Sequence, residues 1–157
     1  MIREIFVLIF VACFTADFAA ATEVLDCATG ELDKSGRAVS ISKCVQPPCL
    51  LKRKTTIDVE QHFVPNRDVR SLTTSVNANV LGIPLPFVGV DGSNACNLIY
   101  NTDGSKASCP LAKGKEYVYK NSFPVLQIYP KLVLKVHWAL TEGQETIACF
   151  EVPAQIT

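Results

Sequence analysis

Two histidines, seven cysteines and a scatter of serines are the residues of this 157-residue chain with chemistry to offer. His62 sits in Asp58-Val59-Glu60-Gln61-His62 and His137 in Lys135-Val136-His137-Trp138. Each falls on the polar side of an alternating stretch, where a surface residue is expected rather than a general base. No Gly-x-Ser-x-Gly elbow, glycine-rich phosphate cradle or run of metal ligands accompanies them. Cys27, Cys44, Cys49, Cys96, Cys109 and Cys149 form an even set once Cys13 is assigned to a cleaved leader. In an oxidising compartment that means three disulfides, drawn from the fifteen pairings six cysteines allow.

Spacing narrows those pairings. Cys44 and Cys49 flank Val-Gln-Pro-Pro, a turn that brings its ends together, and Cys96 and Cys109 enclose a loop rich in Asn, Asp, Gly and Ser. Cys27 and Cys149 remain, near the two ends of the mature chain, and a bridge there contributes at most about 4–5 kcal/mol by loop-closure entropy. A zinc site at Cys44-x4-Cys49 is the competing reading, disfavoured by secretion. Thiols held as disulfides are not nucleophiles. Neither catalysis nor a cofactor or metal is expected.

The leader is Met1 to Ala21. A short polar start with Arg3 precedes the apolar run Ile5–Phe14, and Ala19-Ala20-Ala21 supplies small residues for cleavage. The run is too short to span a bilayer, and no later segment is longer. The mature part, Thr22–Thr157, suits one domain. Without Arg3, Glu4 and Asp17 it carries 14 basic and 13 acidic residues. That balance excludes a strong electrostatic case for nucleic acid. Lys52-Arg53-Lys54, the one dense basic run, is read as a solvated strand start, with anionic-lipid contact as the lesser alternative.

The elements that must position all this are strands. In Thr55–Phe63, Ile57, Val59 and Phe63 share a face opposite Asp58, Glu60 and His62, and Gln61 interrupts the apolar side. In Leu132–Leu140, Leu132, Leu134, Val136, Trp138 and Leu140 alternate against Lys135 and His137. Period-two patterns of this kind mark half-buried antiparallel strands. Others are expected over Glu23–Thr29, Arg37–Lys43, Val69–Val80, Asn94–Tyr100, Glu116–Phe123 and Thr146–Val152, separated by turns such as Asp91-Gly92, Asp103-Gly104 and Glu142-Gly143. About seven short strands predict an all-β sandwich.

Two apolar segments fit this scheme badly. In Gly82-Ile-Pro-Leu-Pro-Phe87, Ile83, Leu85 and Phe87 alternate like a buried face, but Pro84 and Pro86 cannot donate to a ladder. In Phe123–Pro130, Pro124 and Pro130 bracket Val125, Leu126, Ile128 and Tyr129. Such segments suit a sandwich that opens at an edge to admit an apolar ligand. Ordinary edge strands protected against aggregation are the plainer alternative.

These residues carry a pattern that resembles the Niemann-Pick type C2 family, whose lipid-recognition (ML) domain would cover nearly all of residues 22–157. The matching elements are Asp26-Cys27, Gly82–Phe87, CPLAKGKEYVY from Cys109, FPVLQIYPKLVLKVHWAL from Phe123 and CFEVPAQI from Cys149, in that order and with six cysteines. The resemblance implies an immunoglobulin-like β-sandwich with a lipid pocket between its sheets, and disulfides Cys27–Cys149, Cys44–Cys49 and Cys96–Cys109. It implies a secreted, monomeric sterol-binding and transfer protein. Phe87, Val125, Tyr129 and Pro130 would stand at the mouth, and Ile57, Val59 and Trp138 would line the depth. Fatty-acid or semiochemical carriage, and capture of microbial lipid in innate immunity, are the alternatives. The last would use a cationic rim, for which Lys113, Lys115, Lys120 and Lys131 are candidates.

Departures from the pattern bear on partners. The chain has no Asn-x-Ser/Thr sequon, so glycan-dependent lysosomal sorting is not expected and secretion gains weight. Asn77, Ala78 and Asn79 stand where sterol transporters of the family carry a histidine, a glycine and an apolar residue. Polar Asn79 is expected to weaken transient membrane contact and hand-off to a Niemann-Pick type C1-like membrane protein.

Overall fold

A computed structural model describes residues 20–157. The expected leader lies almost wholly outside them. Ten strands run in order as β1 (Val39–Ile41), β2 (Cys49–Leu51), β3 (Thr56–Phe63), β4 (Thr73–Val80), β5 (Ile83–Pro86), β6 (Ile99–Asn101), β7 (Lys106–Ala107), β8 (Tyr117–Pro124), β9 (Val133–Glu142) and β10 (Glu145–Ile156). They form two five-stranded sheets, β1-β3-β8-β6-β7 and β2-β10-β9-β4-β5. Every pairing is antiparallel except β2 with β10.

The fold is the all-β sandwich that the alternation predicts, with three more strands than the expected seven. Five of the ten are only two to four residues long, too short to show a period. Glu23–Thr29 is not a strand; Leu25 makes single bridges to Leu32 and Glu151. The segment Asn94–Tyr100 begins instead as a short 3-10 turn, Cys96–Leu98.

Between the sheets, β3 contributes Ile57, Val59, Gln61 and Phe63, all buried. Gln61 therefore stays on the apolar face, and the period is unbroken. From the other sheet come Leu134, Val136, Trp138 and Leu140 of β9 and Phe150, Val152, Ala154 and Ile156 of β10. Disulfides join Cys27 to Cys149, Cys44 to Cys49 and Cys96 to Cys109, with Cα separations of 6.0, 5.3 and 5.2 Å.

Gly82–Phe87 resolves into a hairpin and an edge. Leu81 and Gly82, both at positive φ (52° and 85°), form the two-residue loop between β4 and β5. The Asn79 Oδ1 accepts the Gly82 N–H at 2.8 Å. Past the strand, the Phe87 N–H donates to Val76 O at 3.0 Å. In an antiparallel ladder bonded pairs alternate, so Leu85 and Ile83 pair inward with β4. Pro84 and Pro86 fall at the intervening positions, with their nitrogens turned to solvent. The prolines cost no ladder bond and leave no donors for a further strand. The expected burial fails for two of the three apolar residues. Ile83 and Leu85 overhang the sheet edge and are 62% and 48% exposed, whereas Phe87 is buried.

Candidate functional site

The mouth is built where β5 ends against the loop that follows β8. Phe87 leaves β5 and turns inward, while Tyr129 and Pro130 come from the loop that Pro124 starts by ending β8. The Tyr129 hydroxyl accepts the Val88 N–H at 3.2 Å, tying the two lips together. Behind them lies an apolar cavity of about 70 Å³, lined by Phe87, Tyr129 and Pro130 and by Leu85, Leu132 and Leu134. A second cavity, about 20 Å³, lies deeper and is lined by Ile57, Val59, Phe123, Val136, Trp138 and Phe150, among others.

An aromatic series connects the two. Tyr129 and Phe87 meet edge on at 5.8 Å between centroids, and Phe87 and Phe123 at 5.5 Å. Phe123 then reaches Trp138 at 5.6 Å, and Trp138 stacks on Phe150 at 6.2 Å. Edge-to-face contacts of this kind hold a geometry yet exchange partners easily, because each is worth only about 0.5–1.5 kcal/mol beyond area burial. Their combined volume is far below the roughly 300–1,000 Å³ of sites for drug-sized ligands. The interior is thus described in a closed form that must widen to take a guest.

Of the seven residues expected at the site, six line these two spaces: Phe87, Tyr129 and Pro130 outside, Ile57, Val59 and Trp138 inside. Val125 lines neither. It is fully buried, its N–H donating to Thr55 O and its carbonyl accepting from Lys54 N, both at 2.8 Å. Sequence reasoning missed Phe123, Leu132, Leu134 and Phe150 as lining. Leu132 and Leu134 were legible as inward positions of an alternating strand, and Phe123 and Phe150 only as members of expected strands; which residues border a cavity depends on how the sheets cross.

Two surface expectations change. Lys52-Arg53-Lys54 is a turn rather than a strand start, and it abuts the mouth loop: the Arg53 guanidinium donates to Gln127 O at 3.4 Å. The proposed cationic rim does not assemble. Lys113 and Lys115 precede β8, and the mouth follows it, roughly 25 Å along the strand. Lys120 pairs with Glu60 on the outer sheet face at 3.0 Å, and Lys131 alone adjoins the mouth. Asn77 and Asn79 also face outward, away from the cavities. The surface beside the mouth is nonetheless apolar, with Leu81 98% and Ile128 80% exposed, and Ile83 and Val88 also outside.

Candidate reactive groups are accounted for otherwise. His62 bonds Glu116 at 3.0 Å on the surface. His137 bonds Glu151 at 3.2 Å and lies against Sγ of Cys149. Cys27, Cys149 and His137 are the one group close enough for a metal among the described residues, and both sulfurs are committed to a disulfide. A further depression, about 460 Å³, is an open groove on the outer face lined by Asp58, Glu60 and Lys120 together with Leu98 and Tyr100. Its three charged side chains and its openness to solvent suit an apolar guest less well than the slot between the sheets.

An apolar slot between two packed sheets, entered past an aromatic mouth, defines a β-sandwich binding domain. The chain belongs to the ML domain family, whose sequence model matches residues 21–156. It is 35% identical over 144 residues to the NPC intracellular cholesterol transporter 2 homolog a of Drosophila melanogaster, covering 88% of this chain and 90% of that one. To the NPC intracellular cholesterol transporter 2 of Bos taurus it is 32% identical over 123 residues, 76% of each chain. Its fold is similar to that of a Niemann-Pick type C2 protein from Japanese carpenter ant, with a TM-score of 0.63 and 26% identity over 88% of this chain and 95% of that one.

Proposed function

We propose that this protein is a non-enzymatic carrier that holds one sterol between its sheets and passes it between membranes or other carriers. What supports this is the unbroken apolar and aromatic path from Tyr129 at the surface to Phe150 in the core. The relatives named cholesterol transporters point the same way. Burying roughly 300–400 Å² of sterol at about 25 cal/mol per Å² gives about 7–10 kcal/mol of gross driving force, before ordering costs.

In this reading Phe87, Tyr129 and Pro130 admit the ligand, and Ile57, Val59 and Trp138 hold its inner part. Val125 is the fixed foot on which the mouth loop turns. The exposed Leu81, Ile83, Val88 and Ile128, with Lys52–Lys54 beside the loop, suit brief contact with a bilayer. The same surface would meet a Niemann-Pick type C1-like membrane protein. In the same reading residues 1–21 are a cleaved leader, residues 22–157 one ML domain acting as a secreted monomer, and the lack of a sequon favours the extracellular space over the lysosomal lumen. The scattered lysines weigh against microbial-lipid capture.

Mass spectrometry of lipid extracted from the natively isolated protein tests the reading. A sterol at near one-to-one ratio is the expected result; fatty acid alone would overturn it.

A further inference from the structure

The outer face of the second sheet holds a cluster of metal-ligating atoms that the slot does not use. His137 of β9 and Glu151 of β10 are cross-strand partners, and Cys149 precedes Glu151 on the same face. Cys27 joins them through its disulfide. The two sulfurs and a ring nitrogen of His137 lie within 4.8 Å of one another, with Cys149 Sγ 3.6 Å from Nε2. Neither of the other disulfides has a third ligating group so placed among the described residues. His137 Nδ1 bonds Glu151 Oε1 at 3.2 Å, and Lys135 holds the other carboxylate oxygen at 2.5 Å. Cys27 and Cys149 are half-buried and open to a small reductant, while Cys44 and Cys49 are buried.

A disulfide withholds its sulfurs only while it is oxidised. A dithiol reductant passes two electrons and two protons to the bridge, leaving two cysteine thiols and its own cyclic disulfide. We propose that the reduced Cys27–Cys149 pair and His137 then form a zinc site. Zn2+ displaces one proton from each thiol and is held by two thiolates and a neutral imidazole, with water completing the tetrahedron. At Zn–S of about 2.3 Å and Zn–N of about 2.0–2.1 Å, a sulfur and a nitrogen on one ion stand about 3.5 Å apart. Cys149 and His137 already have that spacing. The two sulfurs must part to about 3.8 Å, which side-chain rotation allows with Cα atoms 6.0 Å apart. Glu151 stands where metal-bound histidines commonly find a carboxylate for their other N–H. The ion replaces the disulfide as the tie between the segment around Cys27 and β10. This inference is independent of sterol carriage.

The test reduces the protein with a phosphine, removes the excess and titrates with Co2+, whose tetrahedral thiolate complexes absorb visible light. The reduced wild type is expected to bind one Co2+ with that spectrum and to release it to Zn2+, whereas the oxidised protein gives none. His137→Gln abolishes the tetrahedral spectrum. Glu151→Gln, which leaves the three ligands in place, weakens binding by about tenfold to hundredfold. Both variants keep all three disulfides until reduction, so circular dichroism checks their folding beforehand. A reduced wild type that takes up no Co2+ overturns the inference. So does equal uptake by His137→Gln, or a tetrahedral spectrum that survives in Cys27→Ser.

Discussion

The ring of Phe87 meets the ring of Phe123 edge on, 5.5 Å between centroids, and divides the apolar interior into an outer and an inner space. Neither space alone holds a sterol. Ligand entry therefore requires these two rings to part, and a structure with bound sterol is expected to show their centroids separated by more than contact distance and one cavity of several hundred Å³. A sterol complex in which the 5.5 Å contact persists would place the ligand elsewhere.

Phe87→Ala removes the ring that both closes the mouth and meets Phe123 and Tyr129. A buried phenylalanine of this kind costs about 3–5 kcal/mol of stability when truncated. Sterol affinity is expected to fall by about tenfold or more, with faster release, as read by fluorescent-sterol binding on protein shown folded by circular dichroism. Unchanged release kinetics would remove Phe87 from the mouth.

Tyr129→Phe keeps the ring and loses only the acceptor of the Val88 N–H. Stability should drop by no more than about 1 kcal/mol. Amide exchange at Val88 should quicken and sterol exchange with it, because the two lips are no longer tied. Hydrogen exchange with and without sterol measures both.

Leu81→Asn tests the exposed surface without touching the slot. Leu81 is 98% exposed at φ 52°, a conformation asparagine adopts more readily than leucine. Stability should hold or rise, and sterol affinity in solution should not change. Transfer between vesicles is expected to slow several-fold; an unaltered rate would exclude the hairpin tip from membrane contact.

Glu142 sets an acid limit on the fold. It accepts the N–H groups of Arg70 and Ser71 at 2.7 and 2.9 Å and pairs with Arg67. Led by the Ser71 N–H, these contacts hold its carboxyl below the ordinary carboxylate range. The unfolded chain thus takes up the proton first as pH falls. The contribution is full above the unfolded value, near pH 4.3, and is lost as pH drops through the lower folded value. The melting temperature of the wild type is expected to fall in that window, and Glu142→Gln to flatten the fall.

Much of this was legible in the residues. Alternation in Ile57–Phe63 and Leu132–Leu140 depends on a side-chain period of two, so it announces both the strands and their buried faces. Position-specific motifs around Cys27, Gly82 and Phe123 carried the family. Short edge strands were not legible, because two or three residues hold no period. Nor was the overhang of Ile83 and Leu85, which share the inward parity of Phe87 and differ only in what stands opposite them.

The sequence alone determined the sandwich and the apolar faces, since these follow from local period, and motif resemblance pointed to seven residues of which six border the two cavities. Tertiary structure decided the rest. Which lysines stand near the mouth, that Lys52–Lys54 does, and that His137 stands beside the Cys27–Cys149 pair all depend on distances between segments far apart in the chain. Local alternation carries no record of such distances; they arise only when two sheets pack and their edges meet.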